Sequence, residues 1–356
     1  MNFLDDLPQI KKLDPSRAYD SIAAFPQQLA DAWEQVIKSP STNHFSSCRG
    51  IFLAGMGGSA LGGRVIQSLF ENELTIPFQV VTEYQLPAAV DHNSLVIIAS
   101  YSGNTQETLS CLADAAKRRA QIFAITTGGQ VGEKINNGLP GVIFQPLYNY
   151  LGYPKTAIGY AVGSLLGFLN QIGVVKIDFA AALGELKAVQ KKFLVETPTE
   201  KNPAKQLAEL LQNKIVVWVA SEHLRGAAYT ARNQINEIAH HFSLFFDLPE
   251  MDHHLVEAFG QPEAAKSDLA YIFINSHRYH PRVQSRYPIT QKIIQEHQTK
   301  VISYPPQTTS QLAQAWEIIQ LGGFTSAYLS FLNHQDPGPE PWILKLKEAL
   351  TAHEPK

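Results

Sequence analysis

The sequence predicts an α/β protein built as two successive units. Each unit is a parallel sheet flanked by helices in three layers, of flavodoxin-like type. Three observations carry this expectation. From Gly50 onward, short apolar runs alternate with helical stretches, the pattern of a parallel sheet covered on both faces. The alternation gives way to a polar, Lys- and Glu-rich region after residue 172 and restarts at Lys214. The chain has 356 residues, 45% hydrophobic and 17% charged, enough for two sizeable cores. The expected units are residues 1–174, with a helical N-terminal extension, and residues 175–356. They share architecture without an obvious sequence repeat.

The elements follow in chain order. In residues 1–49, Ile22, Phe25, Leu29, Trp33 and Ile37 recur at three and four residues, which reads as helix. Pro40 and Ser41-Thr42-Asn43 break that pattern. Ile51 to Ala54 reads as a strand and Ala60 to Phe70 as a helix. Strands are expected at Phe78 to Thr82 and Leu95 to Ala99, then a helix from Thr105 to about Arg118. Ile122 to Thr126 and Val142 to Phe144 read as strands, and Thr156 to Leu169 as a strongly apolar helix. Leu183 to about Leu194 is a polar helical region, and residues 196–203 read as an exposed connection. The second unit is expected to run as strand Lys214 to Ala220, helix Leu224 to His241 and strand Leu269 to Asn275. Helix Ile289 to His297, strand Lys300 to Tyr304 and a long helix Leu312 to Leu332 complete it.

Composition narrows the function classes. A net charge of −3 leaves no basic excess with which to bind nucleic acid. Two cysteines, Cys48 and Cys111, show no pairing pattern and fit a reducing compartment. Met1 to Leu13 carries four charges and no apolar core, unlike a secretory leader. No apolar run is long enough to span a bilayer. A cytoplasmic protein with neither nucleic-acid nor membrane partner is expected.

The stretch richest in chemistry is Ser100-Tyr101-Ser102-Gly103-Asn104-Thr105. It joins a buried strand to a helix start, where unpaired N–H groups and the helix dipole favour an anion. Three hydroxyls add donors, and Gly103 would let the backbone approach a ligand closely. The loop has no Lys or Arg, which suits a phosphate monoester better than a triphosphate with Mg²⁺. The alternative is an ordinary βα turn with Thr105 as N-cap. A second loop, Gly55-Met56-Gly57-Gly58-Ser59-Ala60, fits the dinucleotide pattern G-x-G-x-x-A, and Glu83 follows 23 residues after Ala60. Against that reading, Ser59 would lie beside the hydroxyl loop, because adjacent strands bring their C-terminal ends together. In the second unit, Glu237 would be a general base if it faced a cleft by that loop, and His253 follows 16 residues later. A solvated helix face and a surface histidine are the alternatives. His240-His241, His253-His254 and His277-x-x-His280 complete no ligand set, so no metal is expected.

Together, Gly55-Met56-Gly57-Gly58-Ser59, the Ser100 to Thr105 loop, Asn233-Gln234-Ile235-Asn236-Glu237 and His253 resemble the bifunctional phosphoglucose/phosphomannose isomerases of the sugar isomerase (SIS) superfamily. The resemblance runs from about residue 45 to the C-terminus. It implies two SIS-type subdomains and a homodimer with active sites near its interface. It implies a metal- and cofactor-independent isomerase acting on hexose 6-phosphates. Gly57, Gly58, Ser59, Ser100, Ser102 and Thr105 match phosphate- and sugar-binding positions. Glu237 matches the base that moves a proton between C1 and C2, and His253 the ring-opening histidine, which can come from the neighbouring subunit. Lys347 matches a C-terminal lysine that assists ring opening. Three positions depart from the family pattern. Lys155 stands for an arginine expected to stabilise the enediolate, Gly323 for an Asp, and Glu340 for a Thr. A sugar-phosphate-binding protein without turnover is the alternative of a different class.

Overall fold

The computed structural model describes residues 2–39, 45 and 48–352. The break expected at Pro40 and Ser41-Thr42-Asn43 lies outside the described residues. Three helices open the chain: α1 (Leu7–Leu13), α2 (Ala18–Ala23) and α3 (Phe25–Ile37). On α3, Phe25, Leu29, Ala32 and Val36 are buried, three and four residues apart on one face.

The first sheet then forms from β1 (Gly50–Ala54), β2 (Phe78–Val81), β3 (Ser94–Ser100), β4 (Gln121–Thr126) and β5 (Gly141–Ile143). Helices α4 (Gly57–Leu69), α5 (Gln106–Lys117) and α6 (Gly129–Asn136) connect them. All neighbours are parallel, in the order β2-β1-β3-β4-β5, which is the flavodoxin arrangement. Every residue of β1 and β3 is buried, which explains their continuous apolar runs. The chain leaves β1 in one direction across the sheet and β3 in the other. Their carboxyl ends therefore flank the switch point where such sheets bind ligands. Ala54 pairs with Ile98, so the glycine-rich segment begins beside Ala99 and Ser100.

Helix α7 (Ile158–Gln171) is buried along most of its length, packed on α3 and α4. Helices α8 (Phe179–Gln190) and α9 (Pro203–Leu211) lead to the second sheet: β6 (Ile215–Ala220), β7 (Ser243–Asp247), β8 (Leu269–Ile274) and β9 (Lys300–Tyr304). It is parallel, in the order β7-β6-β8-β9, joined through α10 (Arg225–Ile238), α11 (Ala264–Asp268) and α12 (Pro281–Glu296). The long α13 (Gln311–Leu332) is buried all round and packs on α10, α9 and α8. Helix α14 (Pro341–Ala352) lies on the outside. Helix α10 also packs on α4, where the Gly226 N–H donates to Ser68 Oγ at 3.0 Å. That contact fastens the first turn of α10 to the last turn of α4. Among the described residues, no helix is long and apolar enough to cross a membrane.

Four expectations need correction. Strand β7 was not expected, because its run of apolar residues is short. Helix α10 stops at Ile238, since His240 takes a left-handed backbone, φ 48°. Helix α12 starts eight residues before Ile289, capped by His280 Nδ1 on the Arg282 N–H, with Pro281 at its first position. Residues 196–203 are not simply exposed. Thr199 and Asn202 are buried, and Asn202 Oδ1 caps α9 by accepting from the N–H groups of Ala204 and Lys205.

Candidate active site

Both glycine- and hydroxyl-rich loops open helices at the switch point. Helix α4 begins at Gly57 rather than Ala60, so the glycines are its first turn, and Met56 provides no side-chain cap. Gly58 lies against the turn that carries Lys155: a Cβ there would stand 2.9 Å from the Pro154 carbonyl oxygen. Ser59 Oγ accepts the Tyr101 N–H at 3.1 Å, which leaves its hydroxyl able to donate to a ligand. Thr105 is the N-cap residue of α5, yet its hydroxyl does not bond the helix N–H groups. Thr105 Oγ1 instead accepts from Ser100 Oγ at 3.1 Å, and Ser100 Oγ accepts the Gly103 N–H at 3.1 Å. The ordinary capped turn thus lacks its defining bond. Ser102 is exposed, its Oγ accepting the Asn104 N–H at 3.3 Å. Gly103 has a role other than the expected one. Its φ is +70°, and a Cβ would fall 1.8 Å from the Gly128 carbonyl oxygen, so glycine is needed for packing between loops. A small, mostly apolar cavity of about 20 Å³ lies here, lined by Ser59, Ser100, Tyr101, Ile125, Phe144 and Leu165.

A hydrogen-bond chain joins this loop to Lys155. Asn149 Nδ2 donates to Tyr101 Oη at 2.8 Å and to the Tyr153 carbonyl at 2.9 Å. Asn149 Oδ1 accepts from Thr156 Oγ1 at 2.8 Å, and Gln28 of α3 donates to the Thr156 carbonyl at 2.8 Å. Lys155, in the 3-10 turn Pro154–Thr156, is thereby fixed with only 3% of its surface exposed. Its Nζ donates to the Glu237 carbonyl at 3.0 Å and the Pro339 carbonyl at 3.5 Å, and lies 3.6 Å from Glu340 Oε1. Burial pulls its pKa below the ordinary lysine range, opposed by Glu340 and Glu237.

Glu237, on the last turn of α10, is half-buried. Loss of hydration, then the charge of Glu340, push its pKa up to about 7, against Lys155, an Asn233 hydrogen bond and Arg232. A carboxyl that titrates near neutrality can both take and return a proton. The structure thus brings Ser59, Ser100, Thr105, Lys155 and Glu237 into one continuous region. His253 and Lys347 are both exposed, on the 3-10 turn Glu250–His253 and on α14. Glu83 is exposed after β2. Among the described residues, no three His, Cys, Asp or Glu side chains converge closely enough to hold a metal ion.

Asn149 escaped sequence reasoning, and Glu340 figured there only as a departure from the family pattern, without a role. Asn149 is 48 residues from Tyr101 and Glu340 is 185 from Lys155, and neither belongs to a spacing pattern. Two of the three departures from the family pattern, Lys155 and Glu340, pair directly, and the third, Gly323, lies one side chain away from Lys155, against Gln234. A Cβ at Gly323 would stand 3.1 Å from Gln234 Nε2, and Gln234 and Lys155 line one small cavity of about 10 Å³.

A family model described as the bacterial phospho-glucose isomerase C-terminal SIS domain matches residues 200–350, and an SIS domain model matches residues 44–131. A bifunctional phosphoglucose/phosphomannose isomerase of Caldicellulosiruptor bescii is 31% identical over 93% of this chain and 98% of its own. One from Aquifex aeolicus is 29% identical over 90% and 95%. Among solved structures, a hypothetical protein from Thermus thermophilus superposes with a TM-score of 0.75 at 19% identity, covering 96% of this chain and 91% of that one, a likeness of fold.

Proposed function

This chain belongs to the bifunctional phosphoglucose/phosphomannose isomerases, and from that premise we propose that it interconverts glucose 6-phosphate and mannose 6-phosphate with fructose 6-phosphate through a cis-enediol. The observation that carries the reading is Glu237: a carboxyl titrating near neutrality, on the last turn of α10, beside a buried lysine whose turn packs on the glycine-rich loop.

The phosphate sits against Ser59, Ser100, Ser102 and Thr105 and the first turns of α4 and α5. That remote binding energy fixes the reacting end of the open-chain sugar. Glu237 takes the proton from C2 of the aldose as the C1 carbonyl oxygen gains negative charge, and Lys155 stabilises that oxygen. A proton passes from the C2 hydroxyl to the C1 oxygen, and Glu237 returns its own proton to C1, which gives the ketose. Glucose and mannose differ at C2, so a base acting on one face of a planar enediol serves both once rotation about C2–C3 changes the face presented. Replacing Glu237 by Gln is expected to lower kcat by about 10³-fold with little change in KM. Near-normal turnover in that variant would refute the reading.

We further infer a homodimer. Helix α14 exposes Trp342, Leu346 and Leu350, an apolar face that a second copy would cover. The exposed His253 then has a route to the partner's site as the ring-opening group, and Lys347 is proposed to assist. In this reading the chain divides at residues 174–175, between α7 and α8. Cys48 and Cys111 are unpaired thiols, which fits the proposed cytoplasmic location.

A further inference from the structure

Among the described residues Lys155 has one ion-pair partner, and it comes from a segment with no assigned role. We propose that Glu340 is a positioning residue for this isomerisation, its carboxylate anchoring the Lys155 ammonium from behind so that the cation faces the developing enediolate rather than closing onto Glu237. The proposal rests on the isomerase reading.

The segment 336–340 is built to deliver that carboxylate. Asp336 Oδ1 accepts from Ser16 Oγ at 2.7 Å and from the Gly338 N–H at 2.8 Å. Pro337 and Gly338 are both buried. A Cβ on Gly338 would fall 2.1 Å from Ser16 Oγ, so the segment lies directly on the loop between α1 and α2. The Pro339 carbonyl accepts from His240 Nε2 at 3.0 Å as well as from Lys155. Glu340 follows at the start of α14, its carbonyl accepting the Leu344 N–H at 3.0 Å. Its side chain is only 11% exposed. Of the three acceptors around Lys155 Nζ among the described residues, two are neutral carbonyls, and Glu340 is the anion.

The charge arrangement gives this contact a consequence for the base. Without Glu340, the Glu237 carboxylate would be the main counter-ion of a buried ammonium, which would favour its ionised form. With Glu340 present, the lysine is neutralised from the other side, and the extra negative charge favours protonated Glu237. Of the other charged groups facing α10, Arg232 also favours ionised Glu237, and the rest are engaged elsewhere. Arg64 of α4 and Arg232 lie on the Tyr229 ring, and Asp247 of β7 is 3.9 Å from Arg225. Glu222, in the turn before α10, accepts the His280 N–H. Glu317, the charged residue of α13, accepts from Tyr304 Oη and the N–H groups of Gln307 and Thr308. His223 bonds Gln314, and His240 and Asp336 flank the segment itself.

The test compares wild type, Glu340→Gln and Glu340→Asp in two ways. The first is the pH profile of kcat/KM with fructose 6-phosphate. The second is a ¹³C titration of the Glu237 carboxyl, assigned with Glu237→Gln. The substrate phosphate titrates identically in all three and cancels in the comparison. In Glu340→Gln, the acid limb and the Glu237 titration are expected to move down by about half a pH unit or more, with kcat reduced several-fold and KM within about twofold. Glu340→Asp is expected to lie between that variant and wild type. Wild-type turnover with superimposed profiles and titrations in all three proteins would overturn the role of Glu340 and leave the isomerase reading standing. Absence of product from wild type would overturn the isomerase reading instead. The carboxyl titration would then decide on Glu340: a downward shift in Glu340→Gln supports the charge arrangement, and no shift refutes it.

Discussion

Replacing Glu237 by Gln should make the protein more stable at alkaline pH while removing its activity. In the folded protein the Glu237 carboxyl is pushed from 4.5 up to about 7, chiefly by loss of hydration. A carboxyl whose folded pKa exceeds its unfolded value binds its proton more tightly when folded. The stability it lends is complete below about pH 4.5 and is lost as pH rises through about 7. By linkage, ionising it inside the folded protein costs about 3 kcal/mol at pH 8.5. Gln keeps the shape and the reach to Asn233 but has nothing to ionise. Urea unfolding midpoints of both proteins at pH 5 and 8.5, at one protein concentration, give the comparison. The two should agree within about 1 kcal/mol at pH 5, and the variant should be about 3 kcal/mol more stable at pH 8.5. A difference that stays constant with pH would mean that Glu237 titrates as an ordinary carboxyl, and would refute the argument that this site holds a base poised near neutrality.

Three other outcomes are expected. Ser102→Ala, which removes an exposed hydroxyl, should raise KM for fructose 6-phosphate about five- to tenfold with kcat nearly unchanged, the loss of one hydrogen bond to a charged group. Mixing inactive Glu237→Gln with inactive His253→Ala subunits under conditions of exchange should restore turnover, because mixed dimers would hold one site with both groups intact; no recovery would place His253 in its own subunit. Asp5→Ala should destabilise the protein by about 3 kcal/mol in urea unfolding while leaving kcat unchanged, because it strips the buried Lys205 of its ion pair, 2.9 Å long.

The architecture was largely legible because burial on both faces writes strands as unbroken apolar runs. Leu95 to Ala99 and Ile51 to Ala54 are inside strands whose every residue is buried. Where an element depends on partners distant in sequence, the pattern was silent. The connection at 196–203 looked solvated from its charges, yet Asp5 accepts from the Thr199 N–H, Thr199 Oγ1 and Lys205 Nζ and draws the segment inward. Helix α12 was seen only in its apolar second half, because its first half is polar and Pro288 interrupts it. The anion loop was legible from its hydroxyls, and Glu237 from its place in a family motif. The network that positions them was not: Asn149, Gln28 and Glu340 act through contacts made between separate elements, and no local spacing records such contacts.

The central claim, that this site isomerises hexose 6-phosphates, is tested most directly by incubating the purified protein with fructose 6-phosphate and measuring glucose 6-phosphate and mannose 6-phosphate separately. Both products are expected from the wild type and neither at a comparable rate from Glu237→Gln. No product from the wild type, with fructose 6-phosphate still raising its melting temperature, would contradict the account and leave a protein that binds the sugar phosphate without turning it over.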